Sequence, residues 1–98
     1  MADNNQYYQW ATSRCAQKEY CRSEIAKKLL AKGATPDEVD DTLGRLEAES
    51  YIDEARYARA FVNDKFRFDH WGHIKIRYAL RQKGVSDFDT DDALALID

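Results

Sequence analysis

The apolar residues of this chain fall into six short stretches, each spaced as on one face of a helix. Tyr7, Trp10, Ala11 and Cys15 follow the i, i+3, i+4, i+8 pattern, which predicts a first helix from about residue 6 to 17. The same spacing predicts five more helices, at about 22–32, 36–50, 54–69, 73–83 and 87–98. One Pro and four Gly leave little room for turns. The pattern therefore predicts an all-α chain.

Each predicted helix has an apolar side that we expect to face a core. Helix two offers Ile25 and Leu29, with Leu30 as a further candidate. The candidates on the later helices are Val39, Leu43 and Leu46, then Tyr57, Ala58, Phe61, Val62 and Phe66, then Ile76, Ala79 and Leu80, and finally Ala93, Leu94 and Ile97.

A short joint between helices two and three has the residues that end one helix and begin the next. Gly33 suits the left-handed conformation that closes a helix. Thr35 suits an N-cap, Pro36 the first turn, and Glu38 the acid of a capping box. A similar joint recurs at residues 83–89, where Gly84 lies 51 positions after Gly33.

The offset of 51 residues carries the expected core positions of one half onto those of the other. Ile25 maps to Ile76, Leu29 to Leu80 and Leu43 to Leu94. We therefore predict two tandem three-helix repeats, residues 1–50 and 51–98, packed on each other in an elongated array. Arrays of this kind usually need at least three repeats, so we expect a third that this chain does not contain.

Charge alternates in bands along the chain, although the net charge is only −3. Residues 14–32 have six basic and two acidic side chains, whereas residues 36–54 have one basic and eight acidic. Residues 55–85 have eight basic and two acidic side chains, and residues 86–98 have five acidic and no basic ones. The bands predict one basic and one acidic face. The alternative is a set of ordinary solvated helix surfaces that complement their neighbours.

The basic residues of helices two and five are the candidate binding residues. Arg77 and Arg81 are four residues apart on the expected solvent side, where like charges repel. This repulsion indicates either an external anionic partner or acidic residues on helix six. The full candidate set is Arg22, Lys28 and Lys32 in the first repeat, and Lys75, Arg77, Arg81 and Lys83 in the second.

Other classes of function find no support in the residues. The sequence has no Gly-rich phosphate loop, nucleophile elbow or HExxH motif, and we expect neither catalysis nor a cofactor. His70 and His73 do not form a compact four-ligand set with Cys15 and Cys21, so no metal is expected. With no long apolar run or leader-like segment, we expect a cytoplasmic protein without membrane contact.

Three segments resemble the RecX family of regulators of the bacterial recombinase RecA. They are residues 21–33, 51–62 and 72–85, in the family's order and spacing. The matching positions are Cys21, Arg22, Glu24, Ile25, Lys28, Leu29, Lys32 and Gly33, the run from Tyr51 to Val62, and Gly72, Lys75, Ile76, Ala79, Leu80, Lys83, Gly84 and Val85. Cys21 stands where the family usually has Ser, and the family's usual third repeat is missing.

The resemblance implies a regulator without catalysis, expected to act as a monomer in DNA repair and the damage response. Such proteins bind the RecA–DNA filament and inhibit its recombinase, ATPase and coprotease activities. Two alternatives stay open at this point. The basic band at residues 55–85 suits a module that binds single- or double-stranded DNA directly. A helical-repeat scaffold for another protein is the other.

Overall fold

The computed structural model describes residues 4–97, and within them the regular secondary structure is entirely helical. The six helices are α1 Asn4–Cys15, α2 Arg22–Ala31, α3 Pro36–Ala48, α4 Glu54–Arg67, α5 His73–Gln82 and α6 Asp87–Leu94. The all-α prediction is confirmed, and most helix ends fall within two residues of those expected. The exception is α6, which ends at Leu94, before the expected end at the last residue of the chain.

The chain divides into two compact units between Asp53 and Glu54. Unit 1 contains α1, α2 and α3, and unit 2 contains α4, α5 and α6. None of the helices within residues 4–97 combines the length and apolar character that crossing a bilayer requires.

The joint between α2 and α3 has the predicted geometry. Gly33 has a φ of +99°, and the amide of Ala34 donates to the carbonyl of Leu29 at 3.1 Å, as in a Schellman motif. The hydroxyl of Thr35 accepts from the amide of Glu38 at 3.2 Å, while the Glu38 carboxylate accepts from the amide of Thr35 at 2.9 Å. This reciprocal capping box fixes where α3 begins.

The joint between α5 and α6 repeats this arrangement in unit 2. Gly84 has a φ of +78°. The amide of Val85 donates to the carbonyl of Leu80 at 3.1 Å, and the hydroxyl of Ser86 accepts from the amide of Asp89 at 3.1 Å. Both glycines therefore end a helix in the left-handed region, as the sequence predicts.

A third joint of this kind, at the end of α3, has no glycine. Ser50 has a φ of +63°, its amide donates to the carbonyl of Glu47 at 3.0 Å, and the amide of Tyr51 donates to that of Leu46 at 2.8 Å. These are the two hydrogen bonds of a Schellman motif. Ser50 thus adopts a conformation that costs a side chain about 1–2 kcal/mol relative to glycine.

Each unit buries its own set of apolar side chains. The core of unit 1 consists of Tyr7, Ala11, Ile25, Leu29, Ala34, Val39, Leu43, Leu46 and Ile52. The buried apolar residues of unit 2 are Tyr57, Ala58, Val62, Ile76, Leu80, Val85, Ala93 and Leu94. Buried apolar residues of the two units correspond at the offset of 51 in six pairs, from Tyr7 with Ala58 to Leu43 with Leu94. The tandem repeat is therefore visible in the packing.

A few core predictions need correction. Leu30 is 50% exposed, because Ile25 and Leu29 already fill the inward side of α2. Six other predicted core residues are only half-buried: Trp10, Cys15, Phe61, Phe66, Ala79 and Ile97. Conversely, Thr42 and Thr90 are fully buried although their type gave no reason to place them in a core, and their hydroxyls have no hydrogen-bond partner among the described residues.

Candidate partner-binding surface

The seven predicted binding residues lie on one helix in each unit. Arg22 and Lys28 belong to α2, and Lys32 is its C-cap. Lys75, Arg77 and Arg81 belong to α5, and Lys83 is its C-cap. On both helices the structure separates the cations into two edges, one on each side of the buried stripe. One edge faces the acidic third helix of the unit, and the other faces aromatic rings.

The acid-paired edge comprises Arg22 in unit 1 and Arg77 and Arg81 in unit 2. Arg22 forms an ion pair with Glu47 of α3. Arg77 forms one with Asp91 of α6, and Arg81 binds Asp87 through two parallel hydrogen bonds, Nε to Oδ1 at 2.9 Å and Nη2 to Oδ2 at 3.1 Å.

These pairs resolve the alternatives that the sequence left open for Arg77 and Arg81. Their mutual repulsion is balanced by carboxylates of α6, so it no longer indicates an external anion. The hydrogen bonds to Asp87 raise the pKa of Arg81, and those same bonds lower the pKa of the Asp87 carboxyl. Their role in binding a partner stays a prediction.

The aromatic edge of unit 1 is built from two rings and four cations. Lys32 Nζ and Arg14 Cζ lie 4.8 and 5.4 Å from the centroid of the Trp10 ring. Lys18 Nζ and Lys28 Nζ lie 4.8 and 5.9 Å from the centroid of the Tyr20 ring. All of these distances are within cation–π range. The arrangement therefore brings Lys28 and Lys32 together with two cations that were not in the predicted set.

The aromatic edge of unit 2 repeats this feature with different residues. Lys75 Nζ and Lys65 Nζ lie 4.4 and 4.9 Å from the centroid of the Trp71 ring. Phe61 packs edge-on against Trp71 with 6.3 Å between centroids. Trp71 is half-buried at the corner that follows α4, where its amide donates to the carbonyl of Lys65 at 3.0 Å. Lys83 lies half-buried at the end of α5.

Neither aromatic edge was predicted from the sequence, although aromatic and basic positions recur with the 51-residue repeat. At the offset of 51, Trp10 corresponds to Phe61, Tyr20 to Trp71 and Arg14 to Lys65. Two aromatic positions and one basic position thus recur together in both halves. Helical periodicity did not reveal this because Tyr20 and Trp71 lie in the connections between helices, outside the periodic stretches.

The third helix of each unit is acidic on its exposed surface. Asp37, Asp40 and Asp41 are exposed on α3, and Asp87, Asp91 and Asp92 are exposed on α6. These carboxylates would repel the phosphates of a nucleic acid. No cluster of three or more metal-ligating side chains occurs within the part of the chain that the structure describes. Each unit therefore has cations on its second helix and exposed acids on its third helix.

Comparison with known proteins gives the same family for both units. The family model described as RecX, first three-helix domain matches residues 8–46, and the model described as RecX, second three-helix domain matches residues 53–94. The chain is 37% identical over 79 residues to Regulatory protein RecX of Pseudomonas savastanoi pv. phaseolicola, which covers 81% of this chain and 50% of that protein. It thus spans about half the length of the curated relatives it matches.

Solved structures agree with the fold. A crystal structure of regulatory protein RecX superposes with a TM-score of 0.89 at 30% identity, covering 95% of this chain and 47% of that one. A crystal structure of RecX from Lactobacillus salivarius superposes with a TM-score of 0.85, covering 95% and 60%, and at 24% identity it supports the fold alone. With both three-helix domains matched in order, the chain belongs to the RecX family of regulatory proteins.

Proposed function

We propose that this chain binds the RecA–DNA filament and inhibits RecA, lowering its recombinase, ATPase and coprotease activities. The observation that carries the proposal is the presence of both RecX three-helix domains in order along one chain. The RecX proteins it matches are named regulatory proteins. We take the repeats as residues 1–50 and 51–98, and the protein as a monomer that acts in the cytoplasm.

The cations of α2 and α5 are the proposed contacts with the filament. They are Arg22, Lys28, Lys32, Lys75, Arg77, Arg81 and Lys83. The arginines can contact the filament although they form ion pairs within the chain. An exposed pair contributes only about 0–1 kcal/mol, so an arginine can exchange its carboxylate for one of a partner at little cost. The lysines on aromatic rings are held in place without losing their charge.

The direct test is RecA-dependent ATP hydrolysis on single-stranded DNA, measured as this chain is added. We expect hydrolysis to fall as the chain approaches and exceeds the amount of RecA. Since charge steers the encounter, the inhibition should weaken as salt is raised. Unchanged hydrolysis at a stoichiometric excess of the chain would contradict the proposal.

Charge-reversal variants test which cations make the contact. Lys28→Glu on α2 and Arg77→Glu on α5 should each weaken inhibition several-fold, by about 1–2 kcal/mol of binding. Lys27→Glu is the matched control, because Lys27 is exposed on the same helix, next to Lys28, and is not in the proposed set. Equal loss in Lys27→Glu and Lys28→Glu would show that net charge, and no particular edge, decides binding.

Direct binding to DNA is a second candidate, which the aromatic edges favour. Exposed cations beside aromatic rings are the combination that single-stranded nucleic acids bind. The acidic surfaces of α3 and α6 oppose it. If DNA is the partner, the logarithm of the binding constant for bare DNA should fall linearly with the logarithm of the salt concentration, with a slope of several units. A failure to bind bare DNA at low salt would remove this candidate.

A further inference from the structure

The outward face of α5 exposes two apolar side chains one helical turn apart. Ile74 is 87% exposed and Tyr78 is 65% exposed. Together with Gly72, His73 and Lys75 they line a shallow depression whose surface is almost entirely apolar. Ile76 and Leu80, on the other side of α5, fill the core of unit 2. The exposed pair therefore plays no part in the core.

Comparison of the two repeats shows that the fold does not need this apolar pair. At the offset of 51, Ile74 corresponds to Ser23 and Tyr78 to Lys27, and both of these are exposed on α2. Unit 1 thus builds the same helix, with the same buried pair Ile25 and Leu29, from polar residues at these positions. Exposing Ile and Tyr to water is unfavourable, and nothing in the architecture of a unit requires it.

Basic side chains lie on both sides of the apolar pair. The sequence from His73 to Gln82 contains Lys75, Arg77 and Arg81 and no acidic residue. On the helical wheel Lys75 lies on one side of Ile74 and Tyr78, and the two arginines lie on the other. Lys75 is held against the Trp71 ring at 4.4 Å. The face is therefore an apolar centre with Lys75 at one edge and the acid-paired Arg77 and Arg81 at the other.

We propose that this face of α5, defined by Ile74 and Tyr78 with Lys75 at its edge, docks an acidic protein surface that presents apolar side chains. The inference rests on the proposed function, in which that surface belongs to the recombinase filament. The positive charge of Lys75 indicates acidic groups on the partner surface. The exposed Ile74 and Tyr78 indicate apolar side chains there.

A protein surface fits this face better than a nucleic acid does. Ile74, the most exposed side chain of the pair, offers no ring on which a base can stack. Arg77 and Arg81 are already neutralised by Asp91 and Asp87, and these carboxylates would repel phosphates at that edge. A protein can present a single carboxylate to Lys75, whereas a nucleic acid brings a row of phosphates that would also reach Asp87 and Asp91.

The test exchanges the pair for its equivalents from unit 1. The double variant Ile74→Ser, Tyr78→Lys should bind RecA filaments on single-stranded DNA at least about tenfold more weakly than the unchanged 98-residue chain, measured by anisotropy of an N-terminal dye. Because Tyr78→Lys adds a cation, a purely electrostatic contact would keep or gain affinity. Phe68→Gln is the control, since Phe68 is 74% exposed and its equivalent in unit 1 is Gln17.

The outcomes separate this inference from the proposed function. No binding by the unchanged chain would overturn the proposed function, and the inference with it. Binding by the unchanged chain with equal affinity for the double variant would overturn the inference alone. If the double variant loses affinity for bare single-stranded DNA to the same extent, the face binds nucleic acid. If the unchanged chain forms a dimer and the double variant does not, the face serves self-association. Either result overturns the inference. Matching circular dichroism spectra will show that the variants fold alike.

Discussion

The left-handed glycine at the end of α5 gives the sharpest test of the fold. Gly84 has a φ of +78°, and a Cβ added there would meet nothing within 4 Å. Gly84→Ala therefore creates no clash, and its whole effect is conformational. Holding an L-residue in this region costs about 1–2 kcal/mol. The smaller freedom of alanine in the unfolded chain offsets about 0.4–1 kcal/mol of that cost. We expect a net loss of stability of about 1 kcal/mol.

The same substitution at Gly44 is the matched control, with the opposite expected sign. Gly44 is exposed inside α3, has no positive φ, and also has open space around it. Alanine is favoured over glycine in a helix interior by about 0.8–1.0 kcal/mol. Gly44→Ala should therefore stabilise unit 1, while Gly84→Ala destabilises unit 2.

Urea unfolding followed by circular dichroism and tryptophan fluorescence measures both effects. In a Trp10→Phe background, Trp71 is the sole tryptophan and reports on unit 2. In thermal unfolding, as a second readout, a change of 1 kcal/mol corresponds to about 4–8 °C in Tm for a domain of 60–100 residues. A neutral or stabilising Gly84→Ala would refute the left-handed C-cap. A destabilising Gly44→Ala would refute the reasoning that the sign depends on φ alone.

Two further predictions concern single residues. Ser50→Gly should raise stability by about 1 kcal/mol in thermal unfolding, because glycine adopts the φ of +63° without strain, and a loss of stability would contradict this. The hydrogen bonds from Arg81 lower the pKa of Asp87 below its ordinary 3.8, so the stabilisation from this pair is complete above pH 3.8 and is lost as the pH falls through the lower, folded value. An NMR titration should show a lowered pKa for Asp87 in the unchanged chain and a return towards 3.8 in Arg81→Gln. If the pKa of Asp87 is the same in both proteins, the pair does not form in solution.

Local signals explain why so much of the fold could be predicted from the sequence. The joint at residues 33–38 consists of neighbours in the chain, so glycine, the cap and the capping-box acid can be recognised without knowing the fold. The repetition at 51 residues identified much of the core, because most core residues of unit 1 have a buried equivalent in unit 2. Ile25 with Ile76 and Leu29 with Leu80 are buried in both units.

The remaining features depend on neighbours that are distant in sequence. The pairing of Arg77 with Asp91 requires α6 to lie beside the correct edge of α5, which periodicity alone does not determine. The buried Thr42 and Thr90 lie on the inward sides of their helices, although a hydroxyl gives no apolar signal. Ser50 adopts a left-handed φ because the chain must turn after α3, and serine carries no local preference for it.

The carboxylates of α6 make the arginines of α5 partly neutral before any partner arrives. Arg77 and Arg81 hold Asp91 and Asp87 in place of small counterions. An incoming acidic group would displace a tethered carboxylate and release few ions to the solution. Binding through this edge should therefore respond less to salt than a count of its positive charges suggests. The freed aspartates would also face the docked protein, so selectivity would depend on whether its surface can accept them.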